Sequence, residues 1–199
     1  MPLLVATHNA GKLREFRQLL DPLELVSAVD LASDLVVEET GHTFADNALL
    51  KARAFSQATG LIALADDSGL EVDALDGAPG VLSARYGGPG PDDAGRCRLL
   101  LQNLLLFPDP AQRTARFRCC LMAWAPDGRH CRAEGICEGF IAAAPAGEGG
   151  FGYDPLFFVP EHNQTMAQLP SQTKNQLSHR ARALRTLHPL LLQTFPELG

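Results

Sequence analysis

Basic residues are scarce in this sequence of 199 residues, where 17 lysines and arginines stand against 23 aspartates and glutamates, a formal net charge of −6. Proteins that bind nucleic acid or anionic membranes broadly need a basic surface. Aromatic residues make up only 7% of the chain, too few for a surface on which nucleobases stack. The composition therefore argues against nucleic acid and membrane as partners, and it leaves room for a small anionic substrate in a local cationic pocket.

The sequence also lacks a Cys-x-x-Cys pair and a long apolar run. Its five cysteines, an odd number, favour neither a zinc site nor a disulfide framework, and they fit a reducing compartment better. Met1 leads into a short apolar segment without a basic leader, so we expect no signal peptide and no transmembrane helix. A cytoplasmic location is the expectation that follows.

Hydrophobic periodicity and turn signals predict alternating strands and helices in the first half and a hairpin later. The predicted strands are 2–6, 23–27, 61–65, the hairpin 116–125 with 130–142, and 157–159. Four helices are predicted. The first starts near residue 12, and the second covers 44–59 between a Thr43 cap and a Gly60 stop. The third runs from 92 or 93 to about 106, and the fourth covers 178–187, with Pro189 breaking or restarting it. Residues 31–37 are interpreted as a loop. This order favours an α/β fold in which helices pack around a mixed sheet.

The apolar run 61–65 ends on two carboxylates, a hydroxyl and a glycine, which are Asp66, Asp67, Ser68 and Gly69. Charge at the end of a buried strand is costly unless it is solvated, paired or bound to metal, and strand ends are where α/β proteins place their sites. A plain turn, with residues 70–73 returning beside the strand, explains the same residues. Both interpretations stay open on these residues alone.

Two glycine-containing stretches were tested as phosphate-binding loops. Residues 147–152 match G-x-G-x-x-G, but no helix opens after them, so a dinucleotide fingerprint is rejected. Residues 7–12 do not fit the Walker pattern, yet they place a polar loop and Lys12 at a helix start, where backbone amides attract phosphate. A simple capped helix with a surface lysine is the alternative.

Charged residues elsewhere allow a functional and a structural interpretation. Lys51 lies near the buried face of its helix, where it either snorkels to solvent or reaches into a cleft. Glu38 and Glu39 form a solvated turn or join the aspartates as oxygen ligands for Mg²⁺. If Ser178 caps a new helix, the residues after it lie next to free amides, which suits an anionic or carbonyl-rich ligand.

Six motifs occur in an order typical of one protein family. They are Thr7-His8-Asn9-Ala10-Gly11-Lys12, residues 39–48 (ETGHTFADNA), residues 65–70 (ADDSGL), residues 77–80 with 83–86 (GAPG and SARY), residues 149–155 (GGFGYDP) and Ser178-His179-Arg180. Together they resemble the inosine triphosphate pyrophosphatase, or Ham1-like dITP/XTP pyrophosphatase, family. The resemblance covers nearly the whole chain.

The resemblance implies an α/β fold with an elongated mixed sheet flanked by helices, and two lobes with an active-site cleft between them, as one two-lobed domain over 1–199. It implies a homodimer that hydrolyses non-standard purine nucleoside triphosphates (ITP, dITP, XTP and dXTP) to the monophosphate and pyrophosphate with Mg²⁺. A related housecleaning pyrophosphatase acting on other modified or pyrimidine nucleotides is the alternative. A nucleotide-binding module without hydrolysis is a further one.

The resemblance also implies roles for individual residues. Asp67 would be the general base, and Glu38 and Asp67 the metal ligands. The substrate-binding residues would be Thr7, His8, Asn9, Ala10, Gly11, Lys12 and Lys51 at the triphosphate, Ser68 beside them, and Phe151, Gly152, Tyr153, Asp154, Lys174, His179 and Arg180 around the base. The role of Asp66 stays open.

Three positions depart from the family pattern. Asp46 stands where glutamate is usual, Gln172 and Thr173 stand where acidic residues are common, and His8 is bulkier than the usual residue of the phosphate loop. His8 is expected to influence phosphate affinity or its pH response near neutrality. The proposed selectivity rests on hydrogen-bond donors that pair with a 6-oxo group and are left unpaired by a 6-amino group.

Overall fold

The computed structural model describes residues 1–31 and 34–199. Over these residues it contains seven strands and five α-helices. The strands are β1 (Leu3–Val5), β2 (Leu25–Ser27), β3 (Ala63–Val72), β4 (Thr114–Trp124), β5 (His130–Ile141), β6 (Phe157–Val159) and β7 (Gln164–Thr165); the helices are α1 (Ala10–Leu19), α2 (Phe44–Thr59), α3 (Asp93–Asn103), α4 (Ser171–Leu177) and α5 (His179–Thr194). Residues 32 and 33 of the predicted loop 31–37 lie outside the described residues.

The seven described strands form one mixed sheet in the order β2-β1-β3-β4-β5-β6-β7. β1 pairs in parallel with β2 and with β3, in register Leu4 to Val26 and Leu4 to Ala63. At the other end, β6 pairs antiparallel with β5 and with β7. The predicted α/β class with a mixed sheet and flanking helices is therefore confirmed.

The chain divides into two compact units. Unit 1 comprises Met1–Asp67, Cys119–Gly135 and His179–Gly199, and unit 2 comprises Ser68–Arg118 and Ile136–Ser178. Each unit has its own apolar core: Phe16, Leu64 and Leu187 lie in the core of unit 1, and Leu70, Leu100 and Phe157 lie in that of unit 2. That the whole chain is one domain with a cleft stays a prediction.

The expectation of a strand that ends at residue 65 was wrong. β3 continues without interruption through Asp66, Asp67, Ser68 and Gly69 to Val72, so residues 70–73 do not return beside it. Its residues are buried at nearly every position, Asp66 and Asp67 included. Asp, Ser and Gly favour turns, which led to the prediction that the strand ends here. Hydrogen bonds within the sheet and partners for both carboxylates outweigh this preference for turns.

The C-terminal helical region agrees with the predicted possibility of a new helix at Ser178 and differs from the prediction at Pro189. α4 and α5 are separate helices, and Ser178 between them is extended (φ −63°, ψ 155°). Pro189 lies inside α5 and does not end it, since the buried leucines Leu184, Leu187 and Leu191 hold the helix on both sides of the lost hydrogen bond. No helix among residues 1–31 and 34–199 has the length and apolar character to cross a bilayer.

Close packing within unit 1 sets the position of the α5 N-terminus. A Cβ on Gly135 of β5 would lie 2.1 Å from the backbone oxygen of His179 and 2.4 Å from the nitrogen of Ala183. Only glycine allows the helix to approach the strand this closely. This contact places His179 and Arg180, the first two residues of α5, beside the sheet.

Candidate active site

The two adjacent carboxylates of β3 have different surroundings. Successive side chains of a strand point to opposite faces of the sheet, so Asp66 and Asp67 meet different partners although they are neighbours in sequence. Asp66 is 4% and Asp67 6% exposed, and burial of an ionised carboxylate requires compensation for each. The two sets of partners decide what each residue can do.

Asp66 accepts hydrogen bonds from three segments of unit 1. Its Oδ2 lies 3.1 Å from Nε and 3.0 Å from Nη2 of Arg180, and 3.5 Å from the thiol sulfur of Cys119. Its Oδ1 pairs with the ammonium of Lys12 at the start of α1. Although burial opposes ionisation, Arg180 and Lys12 hold the pKa of Asp66 well below its usual range. Asp66 is therefore ionised at neutral pH.

Arg180 is held from two sides. Its side chain is 1% exposed, and besides Asp66 it pairs through Nη1 with the carboxylate of Glu15. Burial alone would lower the pKa of the guanidinium, but Asp66 and Glu15 raise it. The result is a buried chain of alternating charge that runs from Glu15 through Arg180 and Asp66 to Lys12.

Asp67 belongs to a second cluster in unit 1, centred on Lys51 of α2. The ammonium nitrogen of Lys51 lies 2.6 Å from Oε1 of Glu39 and 3.2 Å from Oδ1 of Asp67. The amide nitrogen of Asn47 donates to Oδ2 of Asp67 at 3.1 Å. Burial raises the pKa of Asp67, and Lys51 only partly opposes it. Asp67 is thus the carboxylate suited to take up a proton.

The start of α2 positions the second cluster. Thr43 and Asp46 form a complete capping box, with Asp46 N to Thr43 Oγ1 at 3.1 Å and Thr43 N to Asp46 Oδ2 at 3.2 Å. Aspartate therefore performs the capping that the usual glutamate would perform at position 46. The amide oxygen of Asn47 accepts from Gly41 N at 2.8 Å, which orients its nitrogen toward Asp67.

The predicted phosphate loop forms the N-terminus of α1. Asn9 is the N-cap, its Oδ1 accepting from Lys12 N at 3.0 Å, and Asn9 N donates to Thr7 Oγ1 at 3.1 Å. The exposed ring of His8 lies 6.1 Å from that of Phe55. Ala10 and Gly11 form the first turn, whose amides favour an anion.

Unit 2 contains a third cluster, on residues 150–154 and α4. The Nζ of Lys174 lies 2.7 Å from Oδ2 of Asp154 and 5.1 Å from the centre of the Phe151 ring. The same Oδ2 accepts from Phe151 N at 3.0 Å. The hydroxyl of Tyr153 donates to the backbone oxygen of Ser83 at 2.9 Å. The next regular element after residue 152 is strand β6 and not a helix, which agrees with the rejection of a dinucleotide fingerprint.

The structure thus separates the predicted site residues into groups. Unit 1 holds the triphosphate candidates Thr7 to Lys12 with Lys51 and Asp67, and also His179 and Arg180; unit 2 holds half-buried Ser68 and the cluster of Phe151, Gly152, Tyr153, Asp154 and Lys174. Glu38 is exposed, whereas the neighbouring Glu39 reaches Lys51. None of the predicted roles is tested by these positions, but the contacts show which side chains can act together.

Glu15 and Asn47 of these clusters were not predicted as site residues, whereas Glu39 was expected, together with Glu38, as a possible Mg²⁺ ligand. Glu15 follows Lys12 by one helical turn on α1, a spacing that places both on one face and was a usable signal. Asn47 stood within a quoted motif but lacked an assigned role. Nothing in the sequence distinguishes Glu39 from Glu38, because a turn can present either side chain.

The residues of the Lys51 cluster are compatible with Mg²⁺. Among the described residues no group of three or more His, Cys, Asp or Glu side chains converges on one point. Two carboxylates, Glu39 and Asp67, do converge on the single ammonium of Lys51. Mg²⁺ is usually held by one or two carboxylates together with substrate phosphates and water, so this donor set fits it.

A helix N-terminus with a lysine nearby, as at Lys12 and α1 in this mixed α/β fold, is suited to bind phosphate groups. The sequence model of the Ham1 family matches residues 3–190, so this chain belongs to the Ham1 family. It is 53% identical over 192 residues to a dITP/XTP pyrophosphatase of Nitratidesulfovibrio vulgaris (93% of each chain) and 51% identical over 193 residues to one of Desulforamulus reducens (96% of each). A HAM1 protein structure from Coxiella burnetii has a TM-score of 0.87 at 41% identity, covering 97% of this chain and 99% of that one.

Proposed function

We propose that this protein hydrolyses non-standard purine nucleoside triphosphates, such as ITP, dITP, XTP and dXTP, to the monophosphate and pyrophosphate. The relatives named dITP/XTP pyrophosphatase support this substrate class. The observation that carries the chemistry is the contrast between Asp66, held ionised by Arg180 and Lys12, and Asp67, whose pKa is raised by burial. Enzymes commonly assign different roles to carboxylates by such differences in environment.

The triphosphate is proposed to bind in unit 1. The N-terminal amides of α1 and the ammonium groups of Lys12 and Lys51 attract its phosphates. Each lysine is already paired with a carboxylate, Lys12 with Asp66 and Lys51 with Glu39 and Asp67. This pairing keeps both ammonium groups in a fixed position, so that a phosphate chain is held in line for attack without rearrangement of the lysines.

Asp67 is proposed to accept the proton of the attacking water. Lys51 and Asn47 hold its two oxygens, at 3.2 Å and 3.1 Å, which fixes the direction in which a lone pair points. Mg²⁺, held by Glu39 together with substrate phosphates, would neutralise the charge that develops on the phosphate oxygens. Direct binding of Asp67 to the metal would lower the pKa of Asp67 and oppose its role as the base. Glu39 replaces Glu38 as the proposed ligand because its carboxylate reaches the cluster.

The nucleobase is proposed to contact the cluster of unit 2. Phe151 offers an aromatic face, and the ammonium of Lys174 offers donors that a 6-oxo purine accepts and a 6-amino purine cannot. His179 stays a proposed base contact. The guanidinium of Arg180 already binds Asp66 and Glu15, so we propose that it acts chiefly by holding Asp66. A homodimer and a cytoplasmic location complete the proposal.

Pyrophosphate release tests the proposed function directly. The purified protein is incubated with ITP, XTP, dITP, ATP, GTP and dTTP, first with Mg²⁺ and then with EDTA. Rapid release from ITP and XTP, slow release from ATP and dTTP, and loss of activity in EDTA are expected. Equal rates on ATP and ITP would reject the purine selectivity, and a preference for dTTP would support the alternative of a pyrimidine-directed housecleaning enzyme.

A further inference from the structure

Two side chains of α3 bind the backbone of Gly152 within unit 2. Oδ2 of Asp93 accepts from Gly152 N at 2.7 Å, and Sγ of Cys97 lies 3.5 Å from Gly152 O. Residues four apart share one face of a helix, so Asp93 and Cys97 act on Gly152 together. The two peptide units on either side of Gly152 are thus held by α3, one through Asp93 and one through Cys97.

In this contact the thiol of Cys97 is the donor and the carboxylate of Asp93 is the acceptor. Burial and the nearby Asp93 raise the pKa of Cys97 to about 11, so its thiol keeps the proton that it donates. The second oxygen of Asp93 pairs with Arg96, whose Nη1 also donates to Pro91 O at 2.7 Å. The other oxygen, Oδ2, remains available to the Gly152 amide, and that bond is charge-assisted because the acceptor is a carboxylate.

The segment around Phe151 needs such a restraint. Gly150 (φ +76°) and Gly152 (φ +62°) flank Phe151 in the left-handed region, and glycine gives the chain wide conformational freedom on both sides. A cavity of about 560 Å³ adjoins the segment, lined in part by Ala94, Leu101 and Glu148, so packing alone does not immobilise it. Asp154 holds Phe151 N, and Asp93 holds Gly152 N.

We propose that Asp93 is a positioning residue for nucleobase selectivity, because its bond to Gly152 fixes the Phe151 ring in the orientation that the base meets. The proposal rests on the proposed function, and it adds a residue outside the site motifs. Without the bond, the two glycines let the ring sample other orientations, and binding of the correct base then has to restrict them again. The cost falls on base recognition and leaves the reacting groups of unit 1 in place.

Kinetics of three variants test the proposal. In Asp93→Ala the KM for ITP is expected to rise about tenfold, kcat to stay within about threefold, and the preference for ITP over ATP in kcat/KM to fall about tenfold. Asp93→Asn keeps an acceptor oxygen and is expected to retain most of the preference. Arg96→Gln, the matched control, removes the ion pair and leaves the bond to Gly152, so its preference is expected to stay within about twofold of wild type.

A second measurement separates this proposal from the proposed function. Amide hydrogen exchange at Gly152, followed by NMR without nucleotide, is expected to be faster in Asp93→Ala than in wild type and unchanged in Arg96→Gln. The 48% exposure of the Asp93 side chain favours folding of these variants, and Asp93→Glu, which displaces the oxygen by one methylene, serves if Asp93→Ala does not fold. The role of Asp93 is overturned if amide exchange at Gly152 is unchanged in Asp93→Ala. It is also overturned if this variant loses kcat equally on ITP and ATP and keeps its preference. The proposed function is overturned if the wild type shows no preference for ITP.

Discussion

Asp66 and Arg180, which are 114 residues apart in the chain, form a fully buried ion pair in which both side chains are 1% exposed. The pair joins the middle of β3 to the first turn of α5 inside unit 1. Burial of two charges is costly unless each finds several partners, and here Lys12 and Glu15 complete the set. The adjacent Asp67 pairs with Lys51 and with the neutral amide of Asn47, so the two neighbouring aspartates have different electrostatic surroundings.

Replacement of Asp66 by asparagine is expected to damage folding. The variant removes the negative charge of one of the carboxylates that pair with the buried guanidinium of Arg180, and loss of one partner of a buried pair costs about 3–5 kcal/mol. Chemical denaturation followed by circular dichroism measures the loss. Glu138→Gln, which breaks the exposed Arg116–Glu138 pair, is the control and is expected to cost at most about 1 kcal/mol. Similar losses for both variants would contradict a special role for the buried network.

Replacement of Asp67 by asparagine is expected to leave the fold intact and to slow hydrolysis strongly. The amide has nearly the same shape and keeps an oxygen for the bond from Asn47, but it cannot accept the proton of water. We expect kcat for ITP to fall by about 10²–10⁴-fold, with a melting temperature close to that of wild type. Full activity in this variant would remove Asp67 as the base.

Glutamine at position 39 is expected to weaken the binding of Mg²⁺ more than glutamine at position 38. Glu39 touches Lys51 beside Asp67, whereas Glu38 is exposed. In Glu39→Gln the Mg²⁺ concentration for half-maximal pyrophosphate release is expected to rise about 10- to 100-fold. Glu38→Gln is the matched control, and a larger effect there would return the metal role to Glu38.

Alanine at Gly150 is expected to cost more stability than alanine at Gly60. Both glycines have a positive φ, +76° and +73°, so both substitutions bring backbone strain of about 1 kcal/mol. At Gly60 a Cβ meets nothing within 4 Å, but at Gly150 it would lie 2.0 Å from Oδ2 of Asp154. Gly150→Ala therefore displaces the carboxylate that holds Phe151 and Lys174. Equal unfolding free energies for the two variants would show that the loop absorbs the extra atom.

Thiol chemistry is expected to be slow in the native protein at pH 8. Burial raises the pKa of Cys97 and of Cys120 to about 11, so their thiolate fraction is about a hundredfold lower than that of an unperturbed thiol. The pKa of these thiols is about 9 in the unfolded chain and about 11 in the folded protein. Their contribution to stability is therefore fully present below about pH 9, and it is lost as the pH rises through 11. Reaction with a chromogenic disulfide, with and without denaturant, measures the difference; equal rates would contradict the burial effect.

Local chemistry made several parts of the fold predictable. Thr43 and Gly60 mark the start and end of α2, and the hairpin of β4 and β5 follows from alternation around a Pro-Asp-Gly turn. The mixed α/β class followed from the order of these elements. Predictions from local preference failed where contacts with distant residues offset that preference. β3 continues through Asp66 to Gly69, and α5 continues through Pro189.

The ordered motifs in the sequence were sufficient to identify the family, which the match of the Ham1 model to residues 3–190 confirms. Which of two adjacent carboxylates is held ionised, which of two adjacent glutamates reaches Lys51, and that Arg180 faces Asp66 and Glu15 were decided only by the tertiary structure. Neighbours in sequence point to opposite faces of a strand or turn, and their pKa values depend on charges from distant segments. Packing, such as that of α5 against Gly135, brings those charges to the strand.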